Sequence, residues 1–344
     1  MDFALSKKAP FQAPVVEWLS VRVVVDAIYD LFAKAEPHPM VAVEHTRHIR
    51  GKEKSTLAGE WGLSLHLESR RDGESAQYLL DFGYTPEVLT RNFDLLDIEP
   101  GKLDGLILSH GHLDHYGGLL GFLGTYRERM RSDLRLFAGG EENFEPKWMK
   151  REGEDPVYWD TLDRAAIVAT GVDAVCCEAP HALHGAFTTG LIERNSFEHV
   201  VPNSYVRDKT AGGMATAADH FSAAEKTGRL IPDQHPDEHA VAYVVQGRGL
   251  VVIASCGHAG IVNTVKTAMA VSGIGKLHAV LGGFHLGSAP QDYVEQTVDA
   301  LKALEPDVVI PMHCSGLGFT EAMRRKIPER LLTSRTGSRF VFGA

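Results

Sequence analysis

Histidine and aspartate in one short run are the residues of this sequence whose spacing best fits catalytic chemistry. The run reads His110-Gly111-His112-Leu113-Asp114-His115, in a chain with 17 histidines among 344 residues. In an extended turn, His110 and His112 point to the same side, whereas Asp114 and His115 can face a second ion. Imidazole and carboxylate ligands suit Zn²⁺ first, with Fe and Mn as competitors. Because paired metals about 3.5 to 4 Å apart activate a water and polarise a substrate, the run predicts hydrolytic chemistry at two divalent ions.

Three more histidines each follow a short apolar run in the C-terminal third of the chain. His258 follows residues 250–254, His285 follows residues 279–281, and His313 follows residues 307–310. Short apolar runs separated by helical patterns are typical of the buried strands in βαβ units. Ligands bind beyond the carboxyl ends of strands in such sheets, so we expect the three imidazoles along one edge. The apolar run 103–108 brings the His110 run to the same kind of position.

The apolar patterns around these residues predict a sheet that is covered by helices. Further strands are expected at residues 18–26, 62–68 and 78–81. Helices are expected at 86–95, 261–271 and 293–304, the first with a proline suited to its first turn. The segment 139–238 is rich in Pro, Gly and charge, and it predicts an irregular insertion with a few strands. We therefore expect one domain over residues 1–344.

Composition and charge exclude several other functions. The chain has 35 Lys plus Arg against 45 Asp plus Glu, and its net charge of −10 argues against a nucleic-acid partner. Four cysteines are too few for a disulfide framework and predict a reducing compartment. Without a signal peptide or an uncharged apolar stretch of about 18 residues, a cytoplasmic protein with no membrane partner is expected. The sequence also lacks GxSxG, HExxH and P-loop motifs.

The motif His110-x-His112-x-Asp114-His115 after a hydrophobic strand resembles the metal motif of the metallo-β-lactamase superfamily. Asp81 in LLDFG resembles the aspartate that precedes this motif in the superfamily, where it has a supporting role. The stretches WGLSLHLE, GLVVIASCGHAGIVNTV and VLGGFHLG are similar to the subgroup named for 7,8-dihydropterin-6-methyl-4-(β-D-ribofuranosyl)aminobenzene-5′-phosphate synthase. This resemblance covers most of the chain. It implies an α/β fold in which two mixed sheets face each other with helices outside, a four-layer αββα sandwich with metals at one end.

The resemblance also implies a ligand set. His110 and His112 would hold the first metal, and Asp114, His115 and His313 would hold the second. Superfamily hydrolases usually supply another first-metal histidine from a GHTxGH-like stretch, which we do not recognise in this sequence. We prefer His258 for that role, because SCGH follows a clear strand pattern, and His184 in PHALHG is the alternative. The aspartate that often bridges the metals is also missing from its expected context. Cys256 or His258 occupies that strand end, so a cysteine ligand stays open.

Two residues outside the ligand set are candidates for contact with substrate. His285 lies on the same edge as the ligands and could exchange a proton with substrate, or could pack against its glycine neighbours. We expect it outside the coordination shell and, with Asp114, in a catalytic role. Arg194 in TTGLIER could bind a substrate phosphate or carboxylate as a bidentate donor, or could form an exposed ion pair.

Three functions are consistent with these residues. The first is a dinuclear metal-dependent hydrolase of a small ester, lactone, phosphoester or amide, in which a metal-bound hydroxide attacks. The second, implied by the subgroup name, is a synthase-like transferase that joins a pterin and a phosphoribosyl aromatic amine. The third is a non-catalytic metal-containing binding protein, against which the near-complete ligand set argues. The expected partner is a small molecule, with or without phosphate, and a homo-oligomer stays open.

Overall fold

The computed structural model describes residues 11–46, 49, 51–150, 153–208 and 229–343. Within these ranges the strands are β1 (Val15–Val16), β2 (Trp18–Val25), β3 (Ala42–His45), β4 (Ser64–Arg71), β5 (Glu74–Leu80), β6 (Gly105–Leu108), β7 (Arg135–Ala138), β8 (Lys147–Met149), β9 (Val157–Asp160), β10 (Asp173–Cys176), β11 (His181–Ala182), β12 (Phe187–Thr188), β13 (Ser204–Arg207), β14 (Leu230–Pro232), β15 (Val241–Val245), β16 (Gly249–Ala254), β17 (Leu277–Gly282), β18 (Val308–Pro311) and β19 (Ser338–Gly343). The α-helices in the same ranges are α1 (Pro86–Leu95), α2 (Leu113–Tyr116), α3 (Leu119–Tyr126), α4 (Arg164–Ala169), α5 (Ile261–Ser272), α6 (Gln291–Ala303) and α7 (Gly316–Lys326). Short 3-10 helices cover Pro100–Lys102, Arg127–Arg129, Glu141–Phe144, His313–Ser315 and Pro328–Arg330.

Two mixed sheets contain most of these strands. One sheet has the order β10-β7-β6-β5-β4-β2-β19-β3, with parallel pairing from β10 to β5. The other has the order β11-β12-β15-β16-β17-β18, with β1 added beside β15. Its strands β16, β17 and β18 are parallel and are connected by α5 and α6. In both sheets, the parallel strands therefore end at an edge where the loops that follow them can meet.

The layers are held together by three apolar clusters. The faces of the two sheets that point toward each other share one cluster, to which Val21, Leu65, Val251 and Leu281 contribute. A second cluster packs α5, α6 and α7 against the outer face of the β16–β18 sheet. The third packs α1 and α3 against the outer face of the other sheet. Helix, sheet, sheet and helix therefore lie in four layers, and the expected αββα sandwich is confirmed.

The segment 139–238 contributes to more than one sheet. Strand β10 extends the first sheet, and β11 and β12 extend the second. The strands β14-β13-β8-β9 form a separate four-stranded sheet. Parts of this segment lie outside the described residues, and the single domain over 1–344 stays a prediction. The segment nevertheless reaches the large sheets directly, so its side chains are available to any site between them.

Elements with strong local signals agree closely with the sequence prediction. Helix α1 has the predicted bounds, with Thr85 as a side-chain cap that accepts a hydrogen bond from the backbone N–H of Val88 at 3.4 Å. Helix α5 ends one residue later than predicted, and α6 is found at Gln291–Ala303. In the described part of the chain, no helix is long and apolar enough to cross a bilayer.

His66 in β4 gives the fold a dependence on pH. Its ring is buried and its Nε2 lies 3.1 Å from Gln77 Oε1, and burial lowers the pKa of His66 from 6.5 to about 4. Between these values the unfolded chain binds the proton and the folded chain does not. The contribution to stability is therefore complete above about pH 6.5 and is lost as the pH falls toward about 4.

We predict that His66→Gln removes this part of the pH dependence. Between pH 7 and pH 5 the wild type should lose about 2 kcal/mol more of its free energy of unfolding than His66→Gln does. Chemical denaturation at the two pH values measures the difference. His184→Gln, which replaces a half-exposed imidazole, is the matched control and should behave as wild type. Equal losses in wild type and His66→Gln would contradict the assignment.

Candidate metal centre

Side chains from both large sheets meet at one edge of the sandwich. The loop after β6 runs into α2, while other loops reach the same place from β16 and β18. Six residues proposed from the sequence as ligands lie there together: His110, His112, Asp114, His115, His258 and His313. The ring centroids of His110 and His258 are 4.8 Å apart, and those of His115 and His313 are 5.0 Å apart. The two sheets thus each supply part of one cluster.

Four imidazoles form what we call the His110 group: His110, His112, His235 and His258. One ring nitrogen each of His112, His235 and His258 lies within 4.8 Å of the others. The His235 ring stacks on that of His258 at 3.8 Å and lies 4.9 Å from that of His112. His110 lies 4.6 Å from His112 between ring centroids. This group therefore offers three nitrogen donors close to one another, with His110 beside them, enough to hold a metal ion.

A second set, the Asp114 group, consists of Asp114, His115 and His313. Asp114 Oδ2 lies 3.2 Å from His313 Nε2 and 3.9 Å from His115 Nε2. The ring centroids of His115 and His110 are 4.3 Å apart, so the two groups adjoin. Cys256 lies between them, because its Sγ is within 4.8 Å of donor atoms of His110 and His258 and also of His115 and His313. Cys256 Sγ is therefore a further candidate donor, and the cysteine ligand that the sequence analysis left open stays a prediction.

The donor atoms of both groups fit a divalent metal. Among the described residues, no hydrogen-bond partner is found for several buried atoms: His110 Nε2, Asp114 Oδ1, His115 Nε2, both ring nitrogens of His235 and His258, His313 Nδ1, and His285 Nε2. A buried polar atom without a partner costs roughly 1–3 kcal/mol, so such a concentration needs a compensating ligand. Neutral imidazole and carboxylate donors at this density are the ligand set of Zn²⁺ and related ions.

Hydrogen-bonding partners hold three of these imidazoles, those of His110, His112 and His115, at one ring nitrogen each. Asp81, which is fully buried, accepts hydrogen bonds from the Ser109 backbone N–H at 2.8 Å and from Ser109 Oγ at 2.7 Å. Its Oδ2 also lies 2.7 Å from His115 Nδ1, which leaves His115 Nε2 for a metal. Ser109 Oγ lies 2.9 Å from His110 Nδ1, and His112 Nε2 lies 2.9 Å from Ser204 Oγ. Partners of this kind orient metal ligands and set which nitrogen binds. The supporting role proposed for Asp81 is consistent with these contacts.

A buried ion cluster holds the loop that carries His235. Lys147 Nζ in β8 lies 2.8 Å from Asp233 Oδ2 and 3.6 Å from Asp237 Oδ2. Asp233 Oδ1 accepts a hydrogen bond from the backbone N–H of His235 at 2.8 Å, and Asp237 Oδ2 accepts one from Gly111 N–H at 3.0 Å. The middle segment and the motif loop are therefore joined beneath the His110 group.

Two buried glutamates hold the loop that carries His258. Glu238 accepts hydrogen bonds from the backbone N–H groups of His258 at 2.9 Å and Ala259 at 2.6 Å. Burial raises the pKa of Glu238 to about 7. Glu198 caps α5 by accepting from the N–H groups of Val262 and Asn263 at 3.1 and 2.8 Å. The loop from β16 to α5 is thus fixed at both ends.

Burial keeps the His110 group in its metal-binding protonation state. Burial, together with the neighbouring imidazoles, holds the pKa values of His110, His112 and His258 well below the usual range. Burial also lowers the pKa of His235 to about 3. These rings are therefore neutral at pH 7, the form that coordinates metal.

The Asp114 group has the opposite charge balance. Burial acts against the charged form of Asp114, but the His115 and His313 imidazoles hold the pKa of its carboxyl below the ordinary value. Burial likewise opposes protonation of His313, while Cys314 and Asp114 raise its pKa to about 9. A metal that binds here would have to displace a proton from His313.

Backbone geometry also marks this edge of the sandwich. Seven non-glycine residues in the described part of the chain have positive φ angles, and four of them lie at the centre: Asp81, His235, His285 and His313, with φ between 47° and 58°. Left-handed backbone conformations are uncommon for such residues and cluster at functional sites. The fold therefore holds these side chains in place against a local conformational cost.

His285 and Arg194 lie next to the centre in different surroundings. The His285 ring is 4.0 Å from that of His258, and its Nδ1 lies 3.5 Å from Cys256 Sγ. His285 also belongs to a set of possible ligands with Cys256 and Cys314, so its position outside the coordination shell stays a prediction. Arg194 is exposed, and its guanidinium donates a hydrogen bond to the Gln234 carbonyl beside His235. A cavity of about 440 Å³ lies beside Arg194 and is lined by Leu191, Ile192, Arg194, Gln234, His235 and Pro236.

His235 was not predicted from the sequence, and the structure does not bring the alternative His184 into the centre. The half-exposed His184 ring lies 3.5 Å from Glu74 Oε2. The signal that could have identified His235 is the stretch HPDEH, which ends two residues before the first residue of the apolar strand β15. Its two histidines share the spacing of the GHTxGH pattern but lack both glycines. Asp237 and Glu238 within that stretch make the backbone contacts described above.

Comparisons with known proteins agree with this geometry. The sequence model of the family described as "Metallo-beta-lactamase superfamily" matches residues 72–164. The 7,8-dihydropterin-6-methyl-4-(β-D-ribofuranosyl)-aminobenzene-5′-phosphate synthase of Methanocaldococcus jannaschii is 30% identical over 267 residues, which cover 76% of this chain and 83% of that protein. An uncharacterised protein of the same organism is 26% identical over 243 residues, 69% of this chain and 78% of that protein. A solved structure described as a metal-dependent hydrolase of the β-lactamase superfamily superposes with a TM-score of 0.65 at 20% identity, covering 93% of this chain and 98% of that one.

We predict that His235 is required for metal binding. His235→Ala should weaken the binding of Zn²⁺ at least about tenfold, because the His110 group loses a donor that its backbone contacts hold in place. Equilibrium dialysis against buffered Zn²⁺ measures the change, with His184→Ala as the matched control that should bind as wild type. His258→Ala, measured in parallel, shows which of the two stacked rings contributes more. Unchanged Zn²⁺ affinity in His235→Ala would contradict the prediction.

Proposed function

Because this chain belongs to the metallo-β-lactamase superfamily, we propose that it is a dinuclear metal-dependent hydrolase of a small ester, lactone, phosphoester or amide. The observation that carries the proposal is the adjacency of two sets of buried donors without partners, the His110 group and the Asp114 group. One set alone would satisfy a single ion, whereas seven donor residues and Cys256 exceed what one tetrahedral ion uses. Zn²⁺ suits these donors best, with Fe and Mn as the competing ions.

The chain's own residues have separate roles in this proposal. Divalent ions in the two groups would supply an activated water nucleophile and polarise the substrate. Asp114, ionised because of its two imidazole neighbours, orients the reacting groups through Oδ1, its oxygen without a partner. His285 donates a proton to the leaving group from the β17 side. Asp81 and Ser109 keep His115 and His110 in the required tautomers.

The substrate that we propose is a small molecule with an anionic group and a flat apolar part. Arg194 at the cavity beside His235 provides a guanidinium that can pair with a phosphate or carboxylate. Two tryptophans flank the centre: Trp159 lies 4.9 Å from the His112 ring, and Trp61 lies 4.9 Å from the His313 ring. Trp61 is more than half exposed. Indole faces of this kind favour planar groups.

A synthase is the second candidate, and the relative from M. jannaschii favours it. That protein's name describes a product with a pterin ring, an aromatic amine and a phosphate. Arg194 and the two tryptophans would suit the phosphate and the rings. In that reaction, the metal ligands would bind and orient two substrates rather than direct a water molecule.

The source of the oxygen in the product separates the two functions. We predict that the metal-loaded chain, given panels of esters, lactones, phosphoesters and amides in heavy-oxygen water, incorporates one solvent oxygen per bond broken. Mass spectrometry of the products measures the incorporated oxygen. A joined product formed from a pterin and a phosphoribosyl aromatic amine, without solvent oxygen, would favour the synthase and overturn the hydrolase.

Arg194→Ala should raise the KM for phosphorylated or carboxylated substrates by roughly tenfold or more, while leaving the metal content unchanged.

We also predict that His285→Ala lowers turnover by roughly 10²- to 10⁴-fold while the bound metal remains, because a proton donor to the leaving group contributes about that factor. Elemental analysis and steady-state kinetics on the same preparation test both halves. Restored turnover for substrates whose leaving groups need no proton would support the assignment. Loss of metal in His285→Ala would instead identify the residue as a ligand.

A further inference from the structure

Two buried cysteines lie in contact beneath the metal centre. The Sγ atoms of Cys256 and Cys314 are 3.0 Å apart, both residues are buried, and neither is in a disulfide. The Cys314 thiol also donates to the Cys256 carbonyl at 3.5 Å. The metal centre proposed above does not require Cys314, so this pair needs an explanation of its own.

The contact is not a consequence of ordinary strand spacing. Cys256 follows β16 and Cys314 follows β18, and β17 lies between these two strands. Strands two positions apart are roughly 10 Å from each other, too far for their thiols to touch. The thiols meet because β17 ends at Gly282 and is followed directly by Gly283. A Cβ at Gly283 would lie 2.8 Å from Cys314 Sγ and 2.3 Å from the Ser255 carbonyl oxygen. The glycines therefore open the space in which the two cysteines converge.

Neighbouring residues connect the Cys256–Cys314 pair to the proposed metal centre. His285 donates its backbone N–H to Cys314 Sγ at 3.2 Å, and its Nδ1 lies 3.5 Å from Cys256 Sγ. Cys256 Sγ is also within 4.8 Å of donor atoms from both the His110 group and the Asp114 group. A change in the chemical state of Cys256 would therefore act directly on the donors of the centre.

We propose that Cys256 and Cys314 form a redox-active dithiol that a peroxide converts to a disulfide, and that the disulfide weakens metal binding. A disulfide has an S–S distance of about 2.05 Å, so the sulfurs must approach by only about 1 Å. The second half of the proposal rests on the metal centre proposed above, whereas the formation of the disulfide does not.

The oxidation proceeds in two balanced steps with hydrogen peroxide as the oxidant. One thiolate attacks a peroxide oxygen, the O–O bond breaks, and the departing hydroxide takes up a proton as water, which leaves a sulfenic acid. The second thiolate attacks the sulfenic sulfur, the S–S bond forms, and the S–O bond breaks with release of a second water. Two thiols lose two electrons, and one peroxide is reduced to two waters.

Metal and oxidation compete for the same sulfur. A thiolate is a metal ligand and a nucleophile, but a disulfide sulfur has lost that charge. The disulfide also holds Cys256 toward Cys314 and away from the donors of the centre. We therefore expect bound metal to slow the oxidation, and the disulfide to lower the affinity for metal.

The test follows thiols and metal separately in the full chain. A Cys176→Ser/Cys177→Ser variant keeps only the pair in question and removes the two cysteines elsewhere in the fold. After removal of metal with a chelator and treatment with hydrogen peroxide, this variant should lose two thiols and two hydrogens in mass. Peptide mapping should show Cys256 joined to Cys314, and dithiothreitol should reverse the change. Sulfinic acid at either cysteine without a disulfide, or two persistent thiols, would overturn the proposal.

A second arm tests the coupling to metal. Loading with Zn²⁺ before peroxide treatment should slow disulfide formation at least about tenfold, and the oxidised chain should bind Zn²⁺ at least about tenfold more weakly than the reduced chain. A further Cys314→Ser substitution, which leaves no partner for Cys256, should abolish the disulfide. Equal Zn²⁺ affinity of the oxidised and reduced chains would overturn the coupling while leaving the mapped disulfide intact, so the two halves fail independently.

Discussion

Buried imidazole nitrogens without protein partners are the constraint on which the rest of this structure depends. Within the described residues, such atoms concentrate at one edge of the sandwich, on His110, His235, His258 and His313 among others. Each would cost roughly 1–3 kcal/mol if nothing compensated it. Burial also keeps most of these rings neutral, which makes them donors for a cation rather than positive charges that repel one another. The surrounding residues hold these buried nitrogens in place despite that cost.

Hydrogen bonds and ion pairs hold the candidate ligands, either at the second ring nitrogen or through the loop that carries the residue. Asp81 and Ser109 occupy the second nitrogens of His115 and His110, and Asp26 accepts the backbone N–H of His313 at 3.0 Å. Lys147 with its two aspartates, and Glu238 with its two backbone donors, do the same for the loops that carry His235 and His258. Because every one of these partners is buried, water does not compete with them. The protein's own contacts therefore orient these candidate ligands.

The two sheets supply different residues to this edge. The first sheet and its α2 loop supply the motif residues, while the second supplies His258, His285, His313 and both thiols. The middle segment supplies His235, Ser204 and the ion cluster, although its sequence has the weakest periodicity. This segment also supplies Trp159 and the residues that line the cavity beside Arg194. The candidate ligands and the proposed substrate contacts therefore both depend on this part of the chain.

The sequence by itself determined the elements and the local motif. Helix α1 with its Thr85 cap, α5, the buried strands that precede the histidines, and the alternation of His110 with His112 are all set by neighbours within a few residues. Only the tertiary structure decided which distant residues join that motif. His235 stands 125 positions after His110, and because its stretch HPDEH lacks the expected glycines, the spacing of its two histidines is too weak a signal to select it. The contact of Cys256 with Cys314 likewise required three parallel strands in register and glycines at the end of the middle one. Such placements depend on packing between elements far apart in the chain, and periodicity carries no information about that packing.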